Sequence, residues 1–283
     1  MTRYALALGM FDGVHIGHKA VLDGAVKSEY KSVAVTFKQL PFKNGGSIMT
    51  AEAKEKKLLS YGLDEVKFFD FSEIKDLLPF EFLDYICQKH NVAKICCGFN
   101  YRFGKGATGD TAVLREYCDK NGIEFFECPE VIEDGRTVSS TLIKKLLLEG
   151  EVERVAELLG EEFSFTSEVL SGDKRGRRLG FPTTNQKYPE DISGVKHGVY
   201  QTVIEIDGKR YDSVTNIGFR PTFKTDFVSA ETFILNFSGD AYGKKAKISL
   251  IKYLREEKKF SSAEELISAI NQNAEYVKQN SRL

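Results

Sequence analysis

Between Tyr4 and Cys128 short apolar runs alternate with helical patterns, and this alternation limits the possible folds more than any other feature of the chain. The runs are Tyr4 to Leu8, Ser32 to Phe37, Val66 to Phe71, Lys94 to Cys97 and Ile123 to Cys128. Helical patterns fill the gaps at Lys19 to Ser28, Ala51 to Tyr61, Pro79 to His90 and Asp110 to Asn121. Gly62 and Gly122 stand just past two of these patterns and Pro79 opens a third, the positions where glycine and proline are favoured. Strands alternating with helices in this way predict an α/β domain with a parallel, doubly wound sheet. Ligands of such sheets bind beyond the carboxyl ends of the strands.

Two stretches fall at that edge. Gly9-Met10-Phe11-Asp12-Gly13-Val14-His15-Ile16-Gly17-His18 follows the first strand and brings His15 and His18, three residues apart, to one side of a helix start. Backbone N–H groups there favour anions, and imidazole donors add a means of holding charge that develops on a phosphate. Metal binding is the weaker alternative, because the chain has 4 histidines and no cysteine near this pair at ligand spacing. Gly98 to Asp110 interleaves glycines with Phe99, Tyr101 and Phe103 after a buried-looking strand, a composition suited to a nucleotide pocket as well as to a surface loop. Further on, Ser139, Ser140 and Thr141 open a helix with Lys144 one turn later. A serine cap accounts for that pattern, and so does an anion cradle.

Past Gly160 the texture changes to closely spaced strands and turns. Asp207-Gly208 signals a hairpin, and no helical pattern returns until the capping box Ser261-Ser262-Ala263-Glu264 opens a terminal helix. This reads as a small β-barrel closed by a helix. With 283 residues the chain is long for one domain, and the boundary is placed near Gly160. Gly172 to Asn185 is dense in glycine and basic residues, fitting a phosphate loop or a solvated basic turn, and contains no Walker A pattern. A net charge of −1 offers no electrostatic footprint for nucleic acid and no polybasic membrane patch. The chain lacks a spanning apolar run and a secretory pattern, so the expected location is cytoplasmic. Its 5 cysteines, without C-x-x-C, are expected to be reduced and mostly buried.

These motifs resemble those of the bifunctional riboflavin kinase/FAD synthetase family of prokaryotes, whose first half belongs to the nucleotidyltransferases named for His-Ile-Gly-His. Gly9 to His18 is similar to G-x-F-D-G-V-H-x-G-H, and Gly98 to Gly109 to G-x-[D/N]-[F/Y]-x-F-G-x-x-x-x-G. Val138 to Lys144 is similar to I-S-S-T-x-I-R, with Lys144 in the arginine position. Gly172 to Asn185 is similar to G-x-x-x-G-R-x-L-G-x-P-T-A-N, Asn216 to Phe223 to N-I-G-x-R-P-T-F, and Leu254 to Phe260 to L-R-x-E-x-K-F. The motifs keep their order from Leu6 to about Ile270.

The resemblance implies an α/β, Rossmann-like FMN adenylyltransferase (FAD synthetase) domain over residues 1–160 and a Greek-key β-barrel riboflavin kinase domain with a C-terminal helix over 161–283. It implies phosphorylation of riboflavin to FMN, then adenylylation of FMN with ATP to FAD and pyrophosphate. The implied catalytic residues are Glu231, His15 and His18. ATP would meet Gly9, Phe11, Asp12, Gly13, Asn100, Ser139, Ser140, Thr141 and Lys144 in the first domain, and Gly172, Lys174, Gly176, Gly180, Pro182, Thr183 and Asn185 in the second. Thr183 and Asn185 would hold Mg²⁺, and Arg255 would contact flavin. The implied partners are these small molecules, with no nucleic acid or membrane, and self-association into a homo-oligomer is left open. Lysine keeps charge but loses the bidentate fork of arginine, so a flavokinase-only enzyme is one alternative and a non-catalytic flavin sensor is another.

Overall fold

The computed structural model describes residues 2–38, 45–88, 91–170, 183–220 and 227–283. The chain divides into two compact units, Met1–Leu142 and Ile143–Leu283.

In the first unit, strands β1 (Tyr4–Leu8), β2 (Lys31–Phe37), β3 (Glu65–Phe69), β4 (Val92–Gly98) and β5 (Glu124–Cys128) form one parallel sheet in the order β3-β2-β1-β4-β5. The order reverses between β1 and β4, so the turn after β1 and the loop after β4 leave side by side. That is the place where a doubly wound sheet binds its ligand. The helices are α1 (Ile16–Val26), α2 (Ala51–Ser60), α3 (Phe71–Ile74), α4 (Pro79–Cys87) and α5 (Thr111–Asn121). Leu6 and Leu8 face a core with Phe82, Leu83 and Leu114, whereas Ala5 and Ala7 face the opposite core with Leu22 and Leu58. The alanines let α1 approach closely. Gly24 carries this further, since a Cβ there would lie 2.5 Å from the Phe126 ring.

Several element ends differ from the sequence expectation. The third strand stops at Phe69, because the Asp70 side chain accepts the Ser72 N–H at 2.8 Å and starts α3 at Phe71. Helix α1 begins at Ile16 and not at Lys19. His15 is its cap, outside the helix, with Nδ1 accepting the His18 N–H at 3.3 Å. Helix α4 ends at Cys87, ahead of the expected His90, which lies outside the described residues. A small hairpin of β6 (Ile132–Glu133) and β7 (Arg136–Thr137) precedes α6 (Ser140–Glu149) and α7 (Val152–Leu159).

In the second unit, β8 (Ser164–Leu170), β9 (Thr183–Lys187), β10 (Gly198–Ile206), β11 (Lys209–Arg220), β12 (Phe227–Ile234) and β13 (Lys245–Arg255) close into a barrel in the order β10-β11-β12-β9-β8-β13. Strands β10, β11 and β12 meander and β13 returns beside β10, which is the Greek-key order. Asp207 and Gly208, at φ 52° and 74°, make the two-residue turn between β10 and β11 that their identities predict. Helix α8 (Ala263–Gln279), capped by Ser262, buries Val277 against Val199, Val214 and Leu235. Inside the barrel a chain of hydroxyls joins Thr202, Ser213, Thr215 and Thr232 at 2.7 to 2.9 Å. These polar groups are buried because each has a partner.

Candidate active sites

The first unit holds a cavity of about 730 Å³ where the sheet order reverses. Its polar side is built from Gly9, Met10, Phe11, His15, Gly17 and His18 of the turn after β1, with Ser139 and Ser140 at the start of α6 and Asn100 beyond β4. The two imidazoles stack with centroids 3.6 Å apart, and Phe11 meets His18 edge-on. Gly9 and Gly17 leave room for these rings: a Cβ on Gly9 would lie 2.8 Å from Phe11, and one on Gly17 would lie 3.2 Å from His15. Phe11 and Val14, both buried, are held at φ 48° and 45°, backbone that side-chain-bearing residues rarely adopt.

Burial holds the His15 pKa down at about 4, helped by the charge of Lys57. Burial likewise holds His18 well below the ordinary value, with His15, Lys54 and Lys57 adding to the effect. Both rings are therefore neutral near pH 7. Because His15 Nδ1 accepts a hydrogen bond, its proton resides on Nε2, which leaves one N–H to donate. His18 Nδ1 is buried with no partner among the described residues.

The remaining first-unit positions are placed as follows. Asp12 is buried and its Oδ1 accepts the Ile48 N–H at 2.7 Å, while the Gly13 carbonyl accepts from Lys57 Nζ at 3.1 Å. Neither residue lines the cavity. Ser139 Oγ caps α6 by accepting the Leu142 N–H, and Ser140 Oγ donates to the Asp12 carbonyl at 2.9 Å, tying α6 to the turn. Thr141 is exposed and Lys144 is half-buried one turn along α6, and neither is among the lining residues.

The opposite side of the cavity is an aromatic wall of Phe37, Phe71, Phe82, Phe99, Tyr101 and Phe103, with Ile74. Sequence reading anticipated the last three aromatics and missed Phe37, Phe71 and Phe82, which come from β2, α3 and α4. It also missed Lys54, which is 4% exposed. One signal was present: Lys54 precedes Leu58 by four residues and so shares its inward stripe on α2.

A second constellation lies on the barrel. Asn185 pairs across the strands with Glu231, Glu231 with Asn216, Asn216 with Val199 and Val199 with Arg255. This row runs over β9, β12, β11, β10 and β13, and its side chains share one face. Thr183, two residues from Asn185, lies on the same face. That face is the outer one, since Val214 and Phe233 on it pack with Val277 of α8. Asn216 Nδ2 donates to Glu257 Oε1 at 3.0 Å, and Glu257 rests on Gly218, where any Cβ would collide with its carboxylate. The Arg255 guanidinium lies 5.7 Å from the centre of the Phe260 ring, three strand spacings from Glu231. Gly172, Lys174, Gly176, Gly180 and Pro182 lie outside the described residues.

Comparison with known proteins matches both units to families. Residues 1–142 match the FAD synthetase family model and residues 159–281 the riboflavin kinase model. The bifunctional riboflavin kinase/FMN adenylyltransferase of Listeria monocytogenes is 33% identical over 95% of this chain and 89% of its own length. The chain belongs to this bifunctional family. Its members in Bacillus subtilis and Escherichia coli K12 are each 31% identical, over 96% and 94% of the chain and 90% and 88% of their own lengths. The crystal structure of a macrolide-efflux protein from Streptococcus pneumoniae superposes with a TM-score of 0.89 at 28% identity, covering 99% of this chain and 94% of that one. Among the described residues no helix is long and apolar enough to cross a membrane.

Proposed function

We propose that this chain makes FAD in two steps: the barrel phosphorylates riboflavin with ATP to FMN, and the first unit joins FMN to the adenylyl group of another ATP. On this reading the adenylyltransferase domain spans residues 1–160 and the kinase domain 161–283. The observation that carries the reading is the difference in acid–base equipment between the two sites. The 5′-hydroxyl of riboflavin must lose a proton as it attacks the γ-phosphate, and the barrel row supplies a carboxylate, Glu231, to accept it. The phosphate of FMN is already ionised and needs no base, which suits a cavity whose two histidines have their pKa held down by burial and are therefore weak bases.

In the second step an FMN phosphate oxygen bonds to the α-phosphorus of ATP as the bond to pyrophosphate breaks. The imidazole N–H of His15, with His18 stacked on it and the N-termini of α1 and α6 nearby, would stabilise charge on the phosphates. Gly9 and Phe11 would let the triphosphate approach the backbone, with Asp12 and Gly13 shaping the turn behind them. Asn100, Ser139, Ser140, Thr141 and Lys144 complete the proposed ATP site. The aromatic wall suits a flat ring system.

For the kinase, Thr183 and Asn185 are neutral oxygen donors on one face beside Glu231, a set that leaves coordination places for water and phosphates, as Mg²⁺ requires. The ion, when bound, supplies charge neutralisation for the transferring phosphoryl group. Gly172, Lys174, Gly176, Gly180 and Pro182 would complete that ATP site, and Arg255 would contact flavin.

The test is chromatographic product analysis with riboflavin or FMN, ATP and Mg²⁺, for wild type and Glu231→Ala. Wild type is expected to make FAD from either substrate, and the variant from FMN alone. FMN accumulating without FAD would reduce the chain to a flavokinase with Lys144 insufficient for adenylylation. Binding without turnover would make it a flavin sensor.

A further inference from the structure

The turn after β1 is gripped from behind by two lysines of α2, neither of which is among the residues that line the cavity. Lys54 Nζ donates to the Phe37 carbonyl at 2.6 Å and the Met10 carbonyl at 3.1 Å, and lies 3.5 Å from Thr36 Oγ1. Thr36 Oγ1 also donates to the Met10 carbonyl, at 2.9 Å. One turn along the same helix, Lys57 Nζ donates to the Gly13 carbonyl at 3.1 Å. The two ammonium groups therefore hold both ends of the strained segment containing Phe11, at φ 48°, and Gly13, at φ 87°.

A peptide unit is planar and trans, so fixing the Met10 carbonyl toward α2 turns the Phe11 N–H away from it. Burying an ammonium is costly, and three oxygen atoms around Nζ offset that cost only in this one geometry. We propose that Lys54 is a positioning residue for adenylyl transfer, holding the Met10 and Phe37 carbonyls so that the turn presents His15, His18 and its backbone donors to the triphosphate. This rests on adenylylation being the first unit's reaction.

Asp12 of the turn favours the charged form of Lys54, His18 of α1 and Lys57 of α2 face the same site, Thr36 of β2 touches it, and the Phe68 ring of β3 lies 5.8 Å away. Burial outweighs Asp12 and brings the ammonium down to about 8. Neutralising it weakens two charge-assisted bonds at once. The grip, and with it adenylylation, is therefore expected to fail as pH rises through that region, whereas an arginine in its place would stay charged.

The experiment follows FAD formation from FMN and ATP, and FMN formation from riboflavin, in the full-length chain. It compares wild type, Lys54→Met and Lys54→Arg across pH 6.5 to 10. Expected are a wild-type kcat/KM for adenylylation that declines above about pH 8, and a decline moved up by at least one pH unit in Lys54→Arg. Lys54→Met should lose about 100-fold in kcat at pH 7.5 with KM for ATP within threefold, and the kinase step should be unchanged throughout. The proposal is overturned by an alkaline limb unmoved in Lys54→Arg, or by Lys54→Met retaining more than half the wild-type kcat. If Lys54→Met does not fold, the Lys54→Arg profile decides alone. Wild type that makes FMN but no FAD refutes the adenylylation reading itself, a separate outcome.

Discussion

Acid should destabilise the first unit through its two buried histidines, His15 and His18. An unfolded histidine takes up a proton near pH 6.5, while folded His15 resists until about pH 4. Between those values the unfolded state binds more protons, so stability falls as pH falls. At about 1.4 kcal/mol per tenfold change, the whole interval costs about 3 kcal/mol for His15. Near pH 5.5 the local slope for His15 is about 1 kcal/mol per pH unit, and His18, whose pKa burial also holds down, acts in the same direction. A unit with roughly 5 to 15 kcal/mol of total stability cannot absorb such a loss unnoticed.

The assay is urea unfolding at pH 7.0, 6.5, 6.0 and 5.5, a window above most carboxylate titrations, for wild type, His15→Gln and the double variant His15→Gln/His18→Gln. His15→Gln should flatten the pH dependence by about 1 kcal/mol per pH unit and the double variant should flatten it further, even where stability is lower overall. Equal slopes in all three proteins would show that burial does not hold these pKa values down, and the argument that the rings are weak bases in the adenylylation site would fail with them.

Other outcomes follow from particular contacts. Gly17→Ala gains helix propensity of about 1 kcal/mol, yet its methyl would lie 3.2 Å from the His15 ring and 3.3 Å from the Val138 carbonyl. FAD formation should drop at least tenfold with little change in the melting curve and none in the kinase step. Gly218→Ala must displace Glu257 and break its bond to Asn216. Steady-state kinetics should show a several-fold loss of riboflavin phosphorylation, with adenylylation of added FMN unchanged. Burial pushes the thiols of Cys96, Cys97 and Cys118 up to about 12 and Cys87 to about 11, so iodoacetamide at pH 8 should leave both activities intact over hours.

What was legible in the sequence depended on how local its physical cause is. Tyr4–Leu8 and the Asp207-Gly208 turn follow from patterning and turn chemistry over a few residues, and both lie where expected. His15 was placed in the first turn of α1 but caps it instead, because an imidazole Nδ1 substitutes for the usual serine or aspartate oxygen. Lys54 reads as one more cation on a lysine-rich helix. Its meaning depends on carbonyls 17 and 44 residues away that only the sheet order brings to it. The aromatic wall has the same difficulty, since Phe37, Phe71 and Phe82 are scattered in sequence and converge only through the packing of α3 and α4 on β2.

The positive φ angles at Phe11 and Val14 tie this catalyst to its own completion. Each costs of order 1 kcal/mol, and only the surrounding packing keeps these two side chains in place, at 1% and 0% exposure. A chain whose core is still loose would let both residues relax to ordinary backbone, and the histidine stack would disperse. Unfinished or damaged copies would then lack the assembled turn, so the geometry proposed to meet ATP would exist only in molecules that had finished folding.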